Sequence, residues 1–231
     1  AELMSVQRKK DFNKSRENYH LRKSISIAMD TNNPEKLRVI ATLPVDKELI
    51  KQNLSSNNLK EVIKEYDQKM SKLSTQDKKE MEEEFQKLCK LNYFIKMSSL
   101  PEALQQEIWT SETVNFLSVA PSYKESSKST RCRAAVNGGK RHKQSNLSIN
   151  DHQPTGSATL DMAATFRQFK SKPGAAVADI RKFYNQVHIA RRSWALQLLV
   201  WRTGCEIENP AEFYIISRLQ YGLRSSATLA R

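Results

Sequence analysis

The chain predicts an α+β fold, and three features of its 231 residues carry that expectation. Leu59, Ile63, Tyr66, Met70 and Leu73 fall at intervals of 4, 3, 4 and 3 residues, and Met81, Phe85 and Leu88 repeat the spacing, so a pair of amphipathic helices spans about 57–95. Short runs of β-branched and apolar residues that end at prolines or polar turns read as strands. Ala175-Ala176-Val177-Ala178-Asp179-Ile180 sets small apolar residues ahead of one carboxylate. A buried strand of that kind brings Asp179 to the rim of a sheet, where a divalent metal can meet the carboxylate and the Ile180 carbonyl. An Asp also serves simply to cap a strand end or turn, and the spacing leaves both readings open.

A content of 39% hydrophobic and 8% aromatic residues suits one large core or two small ones. The formal charge of +13 is uneven. Residues 1–120 hold 20 Lys and Arg against 18 Asp and Glu, whereas 121–231 hold 18 against 7. A basic half around a metal-type carboxylate points to a polyanionic partner, the other reading being a solvated basic surface. Cys89, Cys132 and Cys205 are too few and too far apart for a disulfide framework or a zinc pattern, which predicts a reducing compartment. No run of about 18 apolar residues and no apolar segment behind N-terminal positive charges occurs, so neither a membrane span nor secretion is expected.

In order, 1–36 is polar and reads mostly as linker, with Leu21, Ile25, Ile27 and Met29 able to form a short strand or packed segment. Leu37 to Leu43 is a strand stopped by Pro44, opening an N-terminal region of 37–122 that also holds the helical pair. Ser74 with Asp77 three residues on marks the second helix start, and Glu80 to Glu84 is its wet face. Asn92 follows that helix as a left-handed terminator. Val114 to Ala120 alternates as a strand that stops at Pro121; 124–130 is a Ser/Lys-rich turn; Arg131 to Asn137 is the returning strand. Gly138-Gly139-Lys140-Arg141-His142-Lys143 lacks the spacing of a phosphate-wrapping loop and reads as a basic loop facing nucleic acid or solvent. A helix is expected at about 157–170, capped by Ser157 with Leu160, Ala164, Phe166 and Phe169 on its apolar side. Trp194 to Trp201 is a buried strand, Arg202 to Pro210 a turn, and Phe213 to Tyr221 the returning strand.

Asp179-Ile180-Arg181-Lys182-Phe183-Tyr184-Asn185-Gln186-Val187-His188-Ile189 resembles the first palm motif of reverse transcriptases, specifically those of Bel/Pao-type LTR retrotransposons, whose pattern is small-Asp-Ile-x-Lys-aromatic-aromatic-x-Gln-Val/Ile-x-Val/Ile. Arg131-Cys132-Arg133-Ala134-Ala135-Val136-Asn137 is similar to the family's Lys-x-Arg-Val-Val-Phe-Asp. Ser148-Ile149-Asn150-Asp151 is similar to Ser-Leu-Asn-Asp, and Tyr221-Gly222-Leu223-Arg224-Ser225-Ser226-Ala227 to Phe-Gly-Leu-x-Ser-Ser-Pro of the second palm motif, which implies that Gly222 lets backbone approach the nascent base pair and that a serine caps the following helix. The resemblance covers about 37–231 and is closest from 129 onward; Asn137, Ala134, Ala135 and Ala227 depart from it.

That resemblance implies the fingers and partial palm of a right-hand polymerase, with 123–231 forming the fingers hairpin and partial palm. It implies Asp179 as catalytic, Asp179 and Ile180 as ligands of Mg2+ or Mn2+ when the complete palm is present, and Arg133, Ile180, Tyr184, Tyr221 and Gly222 as nucleotide-binding. Lys140, Arg141, Lys143, Arg181 and Lys182 are the expected nucleic-acid contacts. The implied partners are an RNA template, a DNA primer, a deoxynucleoside triphosphate and the remainder of the palm, in a cytoplasmic particle or the nucleus. The family also uses an aromatic-x-Asp-Asp hairpin, and this sequence has no Asp-Asp pair, so the chain is expected to be inactive alone, with Asp151 or Asp161 the first places to seek another metal ligand. The alternative is a domesticated or decayed, non-catalytic module that binds nucleic acid or protein.

Overall fold

A computed structural model describes residues 21, 23–30, 33–54, 58–123, 131–154, 167, 169–171, 174 and 182–229. It opens on a hairpin. β1 (Ile25–Asp30) pairs antiparallel with β2 (Asn33–Ala41), Ile25 opposite Ala41, and Leu21 is buried ahead of it. Part of the stretch expected as linker is therefore sheet, along the Ile25, Ile27, Met29 pattern. Polar composition hid it because an edge strand is held by backbone hydrogen bonds and needs few buried side chains; Ile27 remains 67% exposed.

α1 (Lys47–Asn53) starts at Asp46, whose carboxylate accepts from the N–H groups of Glu48 and Leu49. The helical pair follows as α2 (Leu59–Met70) and α3 (Thr75–Lys90). Ser74 caps α3 by accepting from the Asp77 N–H at 3.1 Å, and Asn92 ends the helical segment at φ 54°, as the sequence predicts. The apolar stripes of both helices meet β7 (Leu198–Trp201): Trp201 stacks on Phe85 at 3.7 Å between ring centres and lies edge-on to Tyr66 at 5.7 Å. Its indole N–H donates to Glu82, and Glu84 is buried near Lys182, so two acids of the run expected as the wet face turn inward.

The strands divide among three small sheets. β3 (Phe94–Lys96), β8 (Glu212–Ile216) and β7 form an antiparallel sheet in the order β3-β8-β7, and β4 (Ser118–Tyr123) and β5 (Cys132–Asn137) form a separate hairpin. The short α4 (Glu102–Trp109) packs on β8, with the Trp109 ring edge-on to Phe213 at 5.3 Å between centres. β6 (His188–Ile189) joins β1 and β2 by pairing parallel with β2. Residues 191–196 are a 3₁₀ turn, so the Trp194 run becomes strand only at Leu198. The sheets touch through single bridges, Phe116 with Leu198 and His188 with Arg218. β4 continues past Pro121 because it pairs with β5 alone among the described strands, and an edge strand tolerates a residue without an N–H.

Buried amides lock the helical pair to the hairpin. Asn58 exchanges two 2.8 Å hydrogen bonds with the backbone of Phe116, while Asn115 donates to the Leu196 carbonyl at 3.0 Å and meets a ring nitrogen of His142 at 2.9 Å. Cys89, Cys132 and Cys205 are free thiols, and burial pushes them up to about 11, 11 and 12. A one-turn helix, α5 (Ser226–Leu229), closes the described chain. Among the described residues no helix is long and apolar enough to cross a membrane.

Candidate nucleotide and nucleic-acid site

Three segments distant in sequence converge at the end of β5. Gly222 sits at φ 92°, and a Cβ there would lie 2.1 Å from the Val136 carbonyl oxygen; a Cβ on Gly138 would lie 2.6 Å from the Gly222 oxygen. Only glycines permit this backbone approach. Asn150 spans the junction. Its backbone N–H donates to the Gly138 carbonyl at 3.2 Å, its side-chain amide donates to the Gly222 carbonyl at 2.8 Å, and its side-chain oxygen accepts from the Arg224 N–H at 2.9 Å. Gln153 continues the clamp by accepting from the N–H and hydroxyl of Ser225, and Ser226 donates to the Gln220 carbonyl at 2.6 Å.

Asn150 is held by a capping box. Asp151 accepts from the N–H and hydroxyl of Ser148 at 2.9 and 2.8 Å, and these bonds hold its carboxyl below the usual range. With Arg224 at 3.8 Å on its other side, Asp151 is a structural carboxylate.

Tyr184 joins from the 3₁₀ turn Phe183–Gln186, its ring edge-on to Tyr221 at 4.2 Å between centres. Asn185 donates to the Leu219 carbonyl at 3.2 Å, and the Leu219 N–H donates to the Val187 carbonyl at 3.0 Å, so the segment after the expected strand-Asp lies along the approach to Gly222. Tyr221 is 58% exposed. On β5, Cys132 and Val136 are buried while Arg133 and Asn137 are exposed, and Asn137 accepts from the Gly139 N–H at 2.9 Å. The structure thus groups Tyr184, Tyr221 and Gly222 at the end of the strand that carries Arg133.

The expected basic contacts divide. Lys140 is ion-paired with Glu65, Arg141 donates to the Asn146 carbonyl at 2.6 Å, and Lys182 lies 3.8 Å from Glu84 and 5.6 Å from the Tyr93 ring centre. Lys143 is exposed. His142, expected in the basic loop, is instead buried against Asn115, where a neutral imidazole meets the amide oxygen without the desolvation cost of a lysine ammonium. Asn150 and Gly138 organise the junction, whereas the sequence marks them only as members of the Ser148 block and of the basic loop.

Asp179, Ile180 and Arg181 lie outside the described residues, as do Asp161 and most of the helix expected at 157–170, of which residues 167, 169 and 170 are helical. Among the described residues no group of three or more His, Cys, Asp or Glu is placed to hold a metal ion. No family model matches the chain, and no curated protein matches it.

Proposed function

We propose that this chain is the N-terminal part, fingers and half of the palm, of a retrotransposon RNA-directed DNA polymerase, which binds template-primer and nucleotide and is inactive alone. The observation that carries this reading is the docking of Tyr184 on the Tyr221-Gly222 turn against the end of the strand bearing Arg133. The blocks that resemble the polymerase motifs are far apart in sequence, and a nucleotide site needs them together. An exposed tyrosine beside a backbone that approaches closely offers a stacking surface for a base or sugar, and exposed Arg133 and Lys143 offer charge to phosphates.

Asp179 would hold the metal in such a site together with carboxylates from a second palm strand; that ion would polarise the phosphoryl group. The sequence has no Asp-Asp pair, so the reaction is assigned to a longer chain carrying an aromatic-x-Asp-Asp hairpin.

The test has two arms. The 231-residue chain should bind an RNA–DNA hybrid in fluorescence anisotropy with affinity that falls steeply with salt, and should extend no primer. A longer chain that carries the hairpin should extend primers and lose extension on Asp179→Asn. Affinity that stays flat from low to physiological salt, in a chain shown folded by circular dichroism, overturns the reading.

A further inference from the structure

A second concave site opens where the β1-β2 hairpin and α1 meet the 3₁₀ turn at 191–196. It encloses about 750 Å³, which is room for a small organic molecule, and none of Tyr184, Tyr221 or Gly222 lines it. Leu43, Ile50 and Leu196 give it an apolar floor, all three being buried.

The charged groups on its wall are not equivalent. Asp46 is engaged by two N–H groups of α1, and Glu112 is paired with Lys51 at 2.7 Å, so both acids are already neutralised or bonded. Arg192 donates from Nε and Nη2 to the Thr42 hydroxyl, at 3.0 and 2.6 Å. That bond fixes the guanidinium plane and leaves Nη1 without a partner among the described residues. His152 also lines the cavity, and its buried Nε2 has no hydrogen-bond partner among the described residues. That nitrogen is closed to solvent and so does not face the open cavity, which leaves Arg192 as the group placed to meet a ligand.

We propose that this cavity binds an amphipathic organic anion: an apolar body on Leu43, Ile50 and Leu196, and an acid group on Arg192. Charge decides the class, because the acids on the wall are bonded or paired while Nη1 of Arg192 is left open and its guanidinium is oriented by Thr42. The site stands apart from the proposed polymerase chemistry, yet it shares a segment with the clamp: Asn150, Asp151 and Gln153 face the Gly222–Ser225 turn, whereas His152 and Pro154 line the cavity.

The test uses the full chain and two probes of matched shape, anilinonaphthalene sulfonate and neutral N-phenylnaphthylamine, followed by backbone amide shifts in NMR. The sulfonate should give saturable shifts confined to residues such as Ser24, Thr42, Ile50, Thr113 and Ser193. The neutral probe, and the sulfonate with Arg192→Gln, should each bind about tenfold more weakly, the expected cost of one charge-assisted hydrogen bond. Lys72→Gln, an exposed lysine away from the cavity, should change nothing. Shifts scattered over the chain, equal affinity for the two probes, or an unchanged affinity in Arg192→Gln overturns the proposal. Arg192 is exposed, so its replacement leaves the fold intact, and the amide spectrum of the variant reports that directly.

Discussion

The Val136 carbonyl oxygen and the α-carbon of Gly222 are packed so closely that a methyl group on residue 222 would lie 2.1 Å from that oxygen. A contact of this kind fixes the second turn against the strand end by excluding every side chain. It also makes the turn intolerant of change.

Gly222→Ala combines a positive φ with the clash and should cost roughly 3 to 5 kcal/mol. Gly204 also has positive φ, 70°, but its nearest obstacle is a side-chain carbon at 3.7 Å, so Gly204→Ala should cost only about 1 kcal/mol. Urea denaturation of both variants checks this. Equal midpoints would show that the Val136 contact does not constrain the turn.

Asn150→Ala removes the amide that joins Gly222 to Arg224 and should destabilise by about 2 kcal/mol. Asn150→Asp keeps the acceptor for the Arg224 N–H but sets a carboxylate oxygen against the Gly222 carbonyl, so it should destabilise at least as much as the alanine variant. If Asn150→Asp is as stable as wild type, the clamp on Gly222 contributes nothing.

Glu65 reports on the loop through Lys140. Burial by itself raises the Glu65 carboxyl, but hydrogen bonds from Lys140 and Lys69 overcome that effect and hold it at about 2, against 4.5 ordinarily. A depressed carboxyl contributes stability that is fully present above 4.5 and disappears as pH falls from about 4.5 to about 2. Lys140→Ala should therefore destabilise by about 1 to 2 kcal/mol at neutral pH and flatten that acid limb. Parallel acid limbs in the two proteins would remove the pair from the account.

Nucleic-acid binding should separate occupied from available cations. Lys143→Ala and Arg133→Ala should each lower the slope of log affinity against log salt by about 1, while Lys140→Ala, whose charge is taken up by Glu65, should leave the slope unchanged. Anisotropy titrations over a salt series measure it. A Lys140 effect as large as that of Lys143 would show that the ion pair opens on binding.

Elements were legible in the sequence where the signal is local. The 4-3-4-3 spacing places α2, Ser74 with Asp77 starts α3, and Asn92 takes the left-handed conformation, because helical periodicity and caps are written within a turn or two of chain. Arg131 to Asn137 was legible as a returning strand for the same reason, and the glycine turn at 222 from the motif it resembles. What the tertiary structure alone decided is which segments touch. Nothing in the residues between 138 and 143 distinguishes Lys140, paired with Glu65, from Lys143, which is exposed, or marks His142 as an internal partner of Asn115. Nor does local pattern say that Asn150 holds Gly222 across 72 residues, or that the strands divide among three sheets. Those outcomes depend on desolvation and on pairing between distant groups, and a lysine, a histidine or an asparagine has the same local preferences whether or not a partner is waiting for it.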